Sequence, residues 1–461
     1  MWPNWGLQIK RAMMSLLKGT KVHFLLCIWI SIIICLVIYF KAMMPAELNS
    51  PQAYSHKTNK CRAFPNDCKE ILPGTDEETW DRRDCEVKSY IVKSGLQCSN
   101  LPTDLHFITK PLSPEEEDYP LAFIVTVHNE LEVFIRMFRA IYMPQNVYCI
   151  HIDTKAPKEY QKAIKGLLSC FDNAFLSSRS ERVTYGGFSR LQADLHCMKD
   201  LVKSKIRWRK VVNLCGQDFP VKSNLELVQY LQSKEWRDRN MTPGIKQPVS
   251  MENRTKLQYK EITGSHVALK GNGLKKAPPP HNLQVYFGTA YYALTRAFVD
   301  FVLESPIARD FLEWSKDTYS PDEHYWVTLN HIKAPGSYIN GGWAGDIRAI
   351  KWRDQEGSVH NGCKGHYVRD ICVYGVEDLP WIIKGNHMFA NKFGSKIFPE
   401  ALDCLEQWHR NKVLNQATTP IKPSWLLATQ RKPQSSSSKL FPLIRWLSLL
   451  SWEKTQLRGA G

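Results

Sequence analysis

The stretch LAFIVTVHNELEVFIRMFRAIYMPQNVYCIHID (residues 121–153) decides the fold. Its first eight residues, Leu121 to His128, form a nearly unbroken apolar run of the kind a sheet buries on both faces. LEVFIRMFRAIY has the apolar spacing of a helix, and NVYCIHID (146–153) is a second strand. Outward from there the alternation continues. A helix is expected around 157–169, then a short strand NAFLSS (173–178). Ser189 is a candidate cap for the next helix, in which Leu191, Leu195, Met198, Leu201 and Val202 share one face. VVNLCG (211–216) is a fourth strand. Such an order predicts an α/β fold with a parallel sheet and a site at the strands' C-terminal ends, where His128, Asp153 and Cys215 fall.

The connection after the first strand narrows the chemistry. No G-x-G-x-x-G follows it and the chain has no G-x-x-x-x-G-K-[ST], which disfavours a dinucleotide fold and a P-loop. The same position reads HNELEV, acidic where a sulfotransferase would carry a basic phosphate loop.

The 461 residues carry 43% hydrophobic and 23% charged side chains, a globular balance, with a net charge of +16. Residues 1–41 hold five Lys/Arg and no acid; residues 430–461 hold six Lys/Arg and one Glu. These ends supply +10, so the 388 residues between them hold only +6 and show no nucleic-acid stripe.

Phe24 to Phe40 is uncharged over seventeen residues, enough for a thin bilayer. Lys10, Arg11, Lys18 and Lys21 precede it, so residues 1–23 are expected in the cytosol and the body in the secretory lumen. A cleaved signal peptide is the alternative. The length of the run and the lack of a small-x-small site favour a signal anchor. Residues 41–118, with clustered Pro, Ser and acids and four cysteines, are expected to be a stem.

Eleven cysteines lie beyond the span, so full disulfide pairing leaves at least one thiol free. No C-x-x-C or H-E-x-x-H occurs, which argues against zinc. The sequons at Asn240 and Asn253 are expected at the surface if used. After Trp425, RKPQSSSS and LFPLIRWLSLL read as a poorly ordered tail, 428–461, with no assigned role.

The motifs YMPQNVYCIHID, SRLQADLHCMKDL, NLCGQDFPVKSN, YFGTAYYALTR, DTYSPDEHYWVTLN, RAIKW, ICVYG and FANKF resemble, in this order, the core-2/I-branching β-1,6-N-acetylglucosaminyltransferases. The resemblance runs from about Cys68 to Trp425, and NMTPGIKQP and GWAGDIRAIKW bring it nearest the I-branching enzyme and the seventh family member. It implies a GT-A-like (Rossmann-like) catalytic domain, 119–427, in a single-pass type II Golgi membrane protein. It also implies inverting, metal-independent transfer of N-acetylglucosamine from UDP-GlcNAc to a sugar 6-hydroxyl of a glycan or glycoprotein acceptor. The chain has no D-x-D to hold a metal, in keeping with that implication.

Local rules read Ser320-Pro321-Asp322-Glu323 as a capping box at a helix start. The resemblance instead makes Glu323 the catalytic base, a role the chemistry requires because a sugar hydroxyl attacks well only as it loses its proton. Arg369 and Lys392, each a surface cation by itself, become a clamp for the diphosphate. Thr126, Val127, His128, Asp153 and Tyr185 are implied to hold the uridine part; alone, Asp153 is equally a turn residue and His128 a structural histidine. Arg254 and Trp352 are implied on the acceptor side, although Arg254 lies within the Asn253 sequon.

Pro243, Met251 and Asp354 replace the Glu, Lys and Tyr of core-2 enzymes, which points toward poly-N-acetyllactosamine rather than the mucin core disaccharide. These departures also leave open a catalytically weak member that binds glycans or regulates a partner. The resemblance pairs Cys98–Cys170, Cys149–Cys197, Cys363–Cys372 and Cys68–Cys404. Cys61 and Cys85 remain as a possible fifth pair and Cys215 as the free thiol.

Overall fold

The computed structural model describes Cys68, Leu72 and residues 98–337 and 347–427, all within the compact unit Cys61–Gly461. The span expected at 24–40, Cys61, Cys85 and the tail 428–461 lie outside the described residues. No described helix is long and apolar enough to cross a membrane.

The central sheet holds β1 (Leu121–Val127), β2 (Val147–Ile152), β3 (Ala174–Leu176) and β4 (Lys210–Cys215). Its order is Ala293–Thr295, β4, β1, β2, β3, parallel throughout except for the antiparallel edge Ala293–Thr295. Every residue of β1 is buried because both faces are covered. Phe123 and Val125 face a core shared with Phe134 and Phe138 of α1 (Leu131–Ile141) and with Leu167 of α2 (Lys158–Leu168). Ala122 and Ile124 face a second core with Leu191, Leu195 and Met198 of α3 (Phe188–Leu201). Alternation along one strand therefore feeds two cores.

Four disulfides join Cys68–Cys404, Cys98–Cys170, Cys149–Cys197 and Cys363–Cys372, and Cys215 is the free cysteine among the described residues. Cys149–Cys197 ties β2 to α3 through the second core.

The stem boundary expected at 118 needs correction. Leu101, Leu105, Phe107, Ile108 and Leu112 are buried in the body. The Phe107 ring lies 5.6 Å from Phe138, 5.4 Å from Tyr142 and 4.7 Å from Phe171. Single apolar residues among prolines and acids show no period, yet they cover α1. The expected cap at Ser189 is also replaced. Gly187 occupies the N-cap position of α3, and Ser189 sits inside the helix.

The 17-residue helix Pro399–Asn415, here α4, packs on α1 through charge. Buried Glu406 accepts from Arg136 Nε at 2.5 Å and from Arg139 Nε at 2.9 Å. Burial pushes the Glu406 carboxyl up, but Arg136 and Arg139 outweigh it and hold the group below the usual carboxylate range.

Candidate active site

The strand ends form one wall. Thr126 is buried, and its hydroxyl has no hydrogen-bond partner among the described residues. Val127 is buried, and its carbonyl accepts from the Asp153 N–H at 2.9 Å. One Asp153 oxygen accepts the Lys155 N–H at 2.8 Å, so Asp153 also makes a local turn. His128 lies exposed just beyond β1. Partial desolvation by the surrounding protein lowers its pKa; nearby Lys155 and Arg369 act in the same direction, and Asp153 opposes them.

Opposite these ends stands a hairpin, His366–Val368 paired with Ile371–Val373 and stapled by Cys363–Cys372. Its two turn residues, Arg369 and Asp370, both take left-handed φ values of 51° and 63°. That geometry matches the twist of a tight hairpin and puts Arg369 at its tip. The Arg369 guanidinium lies 5.7 Å from the centre of the exposed Tyr185 ring. Lys392, on the segment after strand Phe389–Asn391, donates from Nζ to the Val368 carbonyl at 2.9 Å. Burial lowers the Lys392 pKa, and the neighbouring Arg369 lowers it further. Among the described residues neither cation has a carboxylate within ion-pair distance, so two positive charges stand together without neutralisation. Trp352 is bridged to Ile371, which directly follows the turn, so it lies beside the tip that carries Arg369.

Cys215 sits behind Lys392. Asn391 Nδ2 is 3.2 Å from its sulfur, and burial pushes the thiol up to about 12, which makes it unreactive at neutral pH.

Glu323 lies on a turn fastened to the Tyr185 loop. The expected capping box is absent: Ser320 is left-handed with φ 47° and makes no side-chain cap, and only a short turn, Pro321–Glu323, follows. The Ser320 N–H donates instead to the Gly186 carbonyl at 2.7 Å, fastening this turn to the Tyr185 loop. Freed from capping, the Glu323 carboxylate pairs with the Arg254 guanidinium. Arg254 is held 5.5 Å from the Phe287 ring centre and 5.2 Å from that of Tyr319. Burial and the adjacent Asp322 charge push the Glu323 pKa up to about 7, against the pull of Arg254. The charges of Glu323 and Arg369 both reach the Tyr185 hydroxyl. Tyr185 thus neighbours both the turn that carries the base candidate and the Arg369 tip.

Sequence reasoning missed the layer beneath Glu323. Arg190 pairs with Asp194 at 2.5 Å. Asp194 also accepts from the Tyr292 hydroxyl at 3.0 Å and from Asn213 Nδ2 at 3.1 Å. Buried Asp322 has its pKa raised by burial, and Arg190 opposes that rise. The available signal was an Arg and an Asp four residues apart in SRLQADLHCMKDL.

The two sequons part company. Asn240 is fully buried, and its amide donates to Asn330 Oδ1 at 3.1 Å and to the Pro335 carbonyl at 2.9 Å. A glycan there is incompatible with this packing, which corrects the surface expectation. Asn253 is exposed. The one described His/Cys/Asp/Glu group with metal-like spacing is Cys363, Cys372 and Asp378. Its sulfurs are joined to each other, and Asp378 pairs with Lys351 at 2.7 Å, so the trio does not fit a metal.

Fold and site together define an α/β domain with its candidate site residues grouped around the C-terminal ends of a mainly parallel sheet. The family described as Core-2/I-Branching enzyme matches residues 121–383, and the chain belongs to that family. It is 47% identical, over 89% of its length and 97% of the relative's, to the human protein named probable beta-1,3-galactosyl-O-glycosyl-glycoprotein beta-1,6-N-acetylglucosaminyltransferase 7. It is 53% identical to human N-acetyllactosaminide beta-1,6-N-acetylglucosaminyl-transferase, over 69% of this chain and 79% of that one. Mouse xyloside xylosyltransferase 1 in its apo form covers 59% of this chain and 96% of its own, at 12% identity and a TM-score of 0.31.

Proposed function

We propose that this chain transfers N-acetylglucosamine from UDP-GlcNAc, in β-1,6 linkage and with inversion, to a galactose- or GalNAc-containing O-glycan or poly-N-acetyllactosamine. In this reading the reaction needs no metal. The enzyme is GT-A-like and works on the lumenal side of the Golgi membrane behind a type II anchor at 24–40. The observation that carries the reading is the un-neutralised pair Arg369 and Lys392, with Arg369 beside the Tyr185 loop to which the Glu323 turn is fastened.

Each residue has a share in this mechanism. Thr126, Val127, His128, Asp153 and Tyr185 take the uridine; the buried, unpartnered Thr126 hydroxyl and the exposed Tyr185 ring support that role. Arg369 and Lys392 take the diphosphate, whose charge grows as the sugar leaves, so fixed cations favour the transition state over the ground state. Glu323 accepts the proton of the acceptor 6-hydroxyl while that oxygen bonds to the anomeric carbon and UDP departs. A single displacement inverts the carbon and leaves the proton on Glu323. Arg254 is a positioning residue, since its guanidinium aims the carboxylate and resists its protonation.

The test is the full chain in detergent, given UDP-GlcNAc and a panel of acceptors. Glu323→Gln should lower turnover by roughly 10² to 10⁴-fold while UDP still binds. Full turnover in that variant overturns the assignment. UDP-GlcNAc binding without transfer to any acceptor by the native chain would instead support the glycan-binding alternative.

A further inference from the structure

Charge in the body is not spread evenly. Residues 246–281 hold seven Lys/Arg and two Glu, net +5, whereas all of 42–429 hold +6. This segment forms a lobe at the Glu323 end of the site. Its hairpin pairs Tyr259–Ile262 with His266–Leu269, and Leu257 bridges Lys275. The lobe is fastened to the site directly: the Tyr319 N–H donates to the Arg254 carbonyl at 3.1 Å, and the Tyr259 and Tyr319 rings lie 5.4 Å apart.

Internal pairing accounts for only part of the charge. Glu252 pairs with Lys256, Lys276 with Asp317, and Arg254 with Glu323. Glu261 turns inward to the start of α3, where it accepts from the Ser189 N–H at 3.0 Å and from the Ser189 hydroxyl. That leaves Lys246, Lys260, Lys270 and Lys275 exposed, with no carboxylate within ion-pair distance among the described residues. Exposed Val249, Ile262, Leu269 and Leu274 lie among them in the chain.

A surface of this kind fits a ligand with apolar faces and fixed negative charge. Lysines on flexible stems meet an anion as point charges and tolerate variation in its position. One-signed fields also raise the local concentration of oppositely charged ligands.

We propose that the 246–281 lobe selects acceptor glycans bearing an anionic substituent, sulfate or carboxylate, near the hydroxyl that Glu323 deprotonates. This rests on the transferase reading above and adds the acceptor class to it.

The experiment compares one lactosamine oligosaccharide in neutral, sulfated and sialylated forms, using the full chain in detergent. Transfer kinetics and equilibrium binding in the presence of UDP are both measured. The anionic forms should show a KM and a Kd about tenfold lower at low salt. The advantage should fade as salt shortens the screening length. Preference for both forms identifies charge as the determinant; preference for one identifies the anion. Changing Lys246, Lys260, Lys270 and Lys275 together to Gln should bring the anionic forms back to the neutral acceptor's values. Equal KM and Kd for all three forms, or a preference that survives the fourfold variant, overturns the proposal. Transfer without preference refutes the lobe alone, and preferential binding without transfer refutes the transferase reading alone.

Discussion

Glu323 shows how one side chain is prepared by its neighbours. A carboxylate with an ordinary pKa is a weak base at neutral pH, and one fully masked by an arginine is weaker still. Burial and Asp322 raise Glu323 to about 7 while Arg254 pulls against them. As the proposed base, Glu323 works only when deprotonated, so kcat/KM should rise with pH through about 7 and level above it. Arg254→Met removes the pull downward, so the same limb should move to higher pH with UDP affinity unchanged. A pH profile of the variant that overlays the native one would show that Arg254 does not position the base.

At the scale of elements, the cation pair depends on the disulfide loop Cys363–Cys372 and a two-residue turn. The hairpin delivers Arg369 as a planar fork, whereas Lys392 arrives from a different segment as a point charge. Arg369→Lys keeps the charge and loses the fork. It should lower kcat by roughly tenfold or more, and Arg369→Met by about a hundredfold. Equal rates for all three would remove Arg369 from the chemistry.

The α1–α4 contact sets stability instead. Glu406→Gln leaves Arg136 and Arg139 buried with too little negative charge and should cost roughly 3 to 5 kcal/mol, read by denaturant unfolding. Because the folded-state pKa of Glu406 is depressed, its contribution is complete above the ordinary carboxylate range. It is lost as pH falls through the folded value. Strand and helix periods were plain in 121–216 because the sheet is covered on both faces. The 98–118 segment was not legible, since its residues pack one at a time. The Ser320 capping reading failed because Ser320 adopts a left-handed backbone tied to Gly186, a tertiary contact that outweighs the local pattern.

For the whole molecule, distance in the chain hides most of what matters. Glu323, Arg369, Lys392 and the 121–153 strand ends come together only through the crossovers, and no spacing rule announces them. The motif set reached them because it matched many segments in one order. It implied Arg254 on the acceptor side, and the structure adds that Arg254 pairs with Glu323. The basic lobe was countable in the sequence but was hidden in the average charge of the body. Its significance needed the fold, which turns Glu261 inward and leaves four lysines outward. The burial of Asn240 was likewise invisible to a three-residue motif.

The central claim is that two fixed cations do for the departing diphosphate what a divalent ion does elsewhere. The most direct measurement is the initial rate of N-acetylglucosamine transfer by the full chain in excess EDTA, before and after manganese is added back. The account predicts an undiminished rate in EDTA and no gain from manganese. Loss of turnover in EDTA that manganese restores would contradict it.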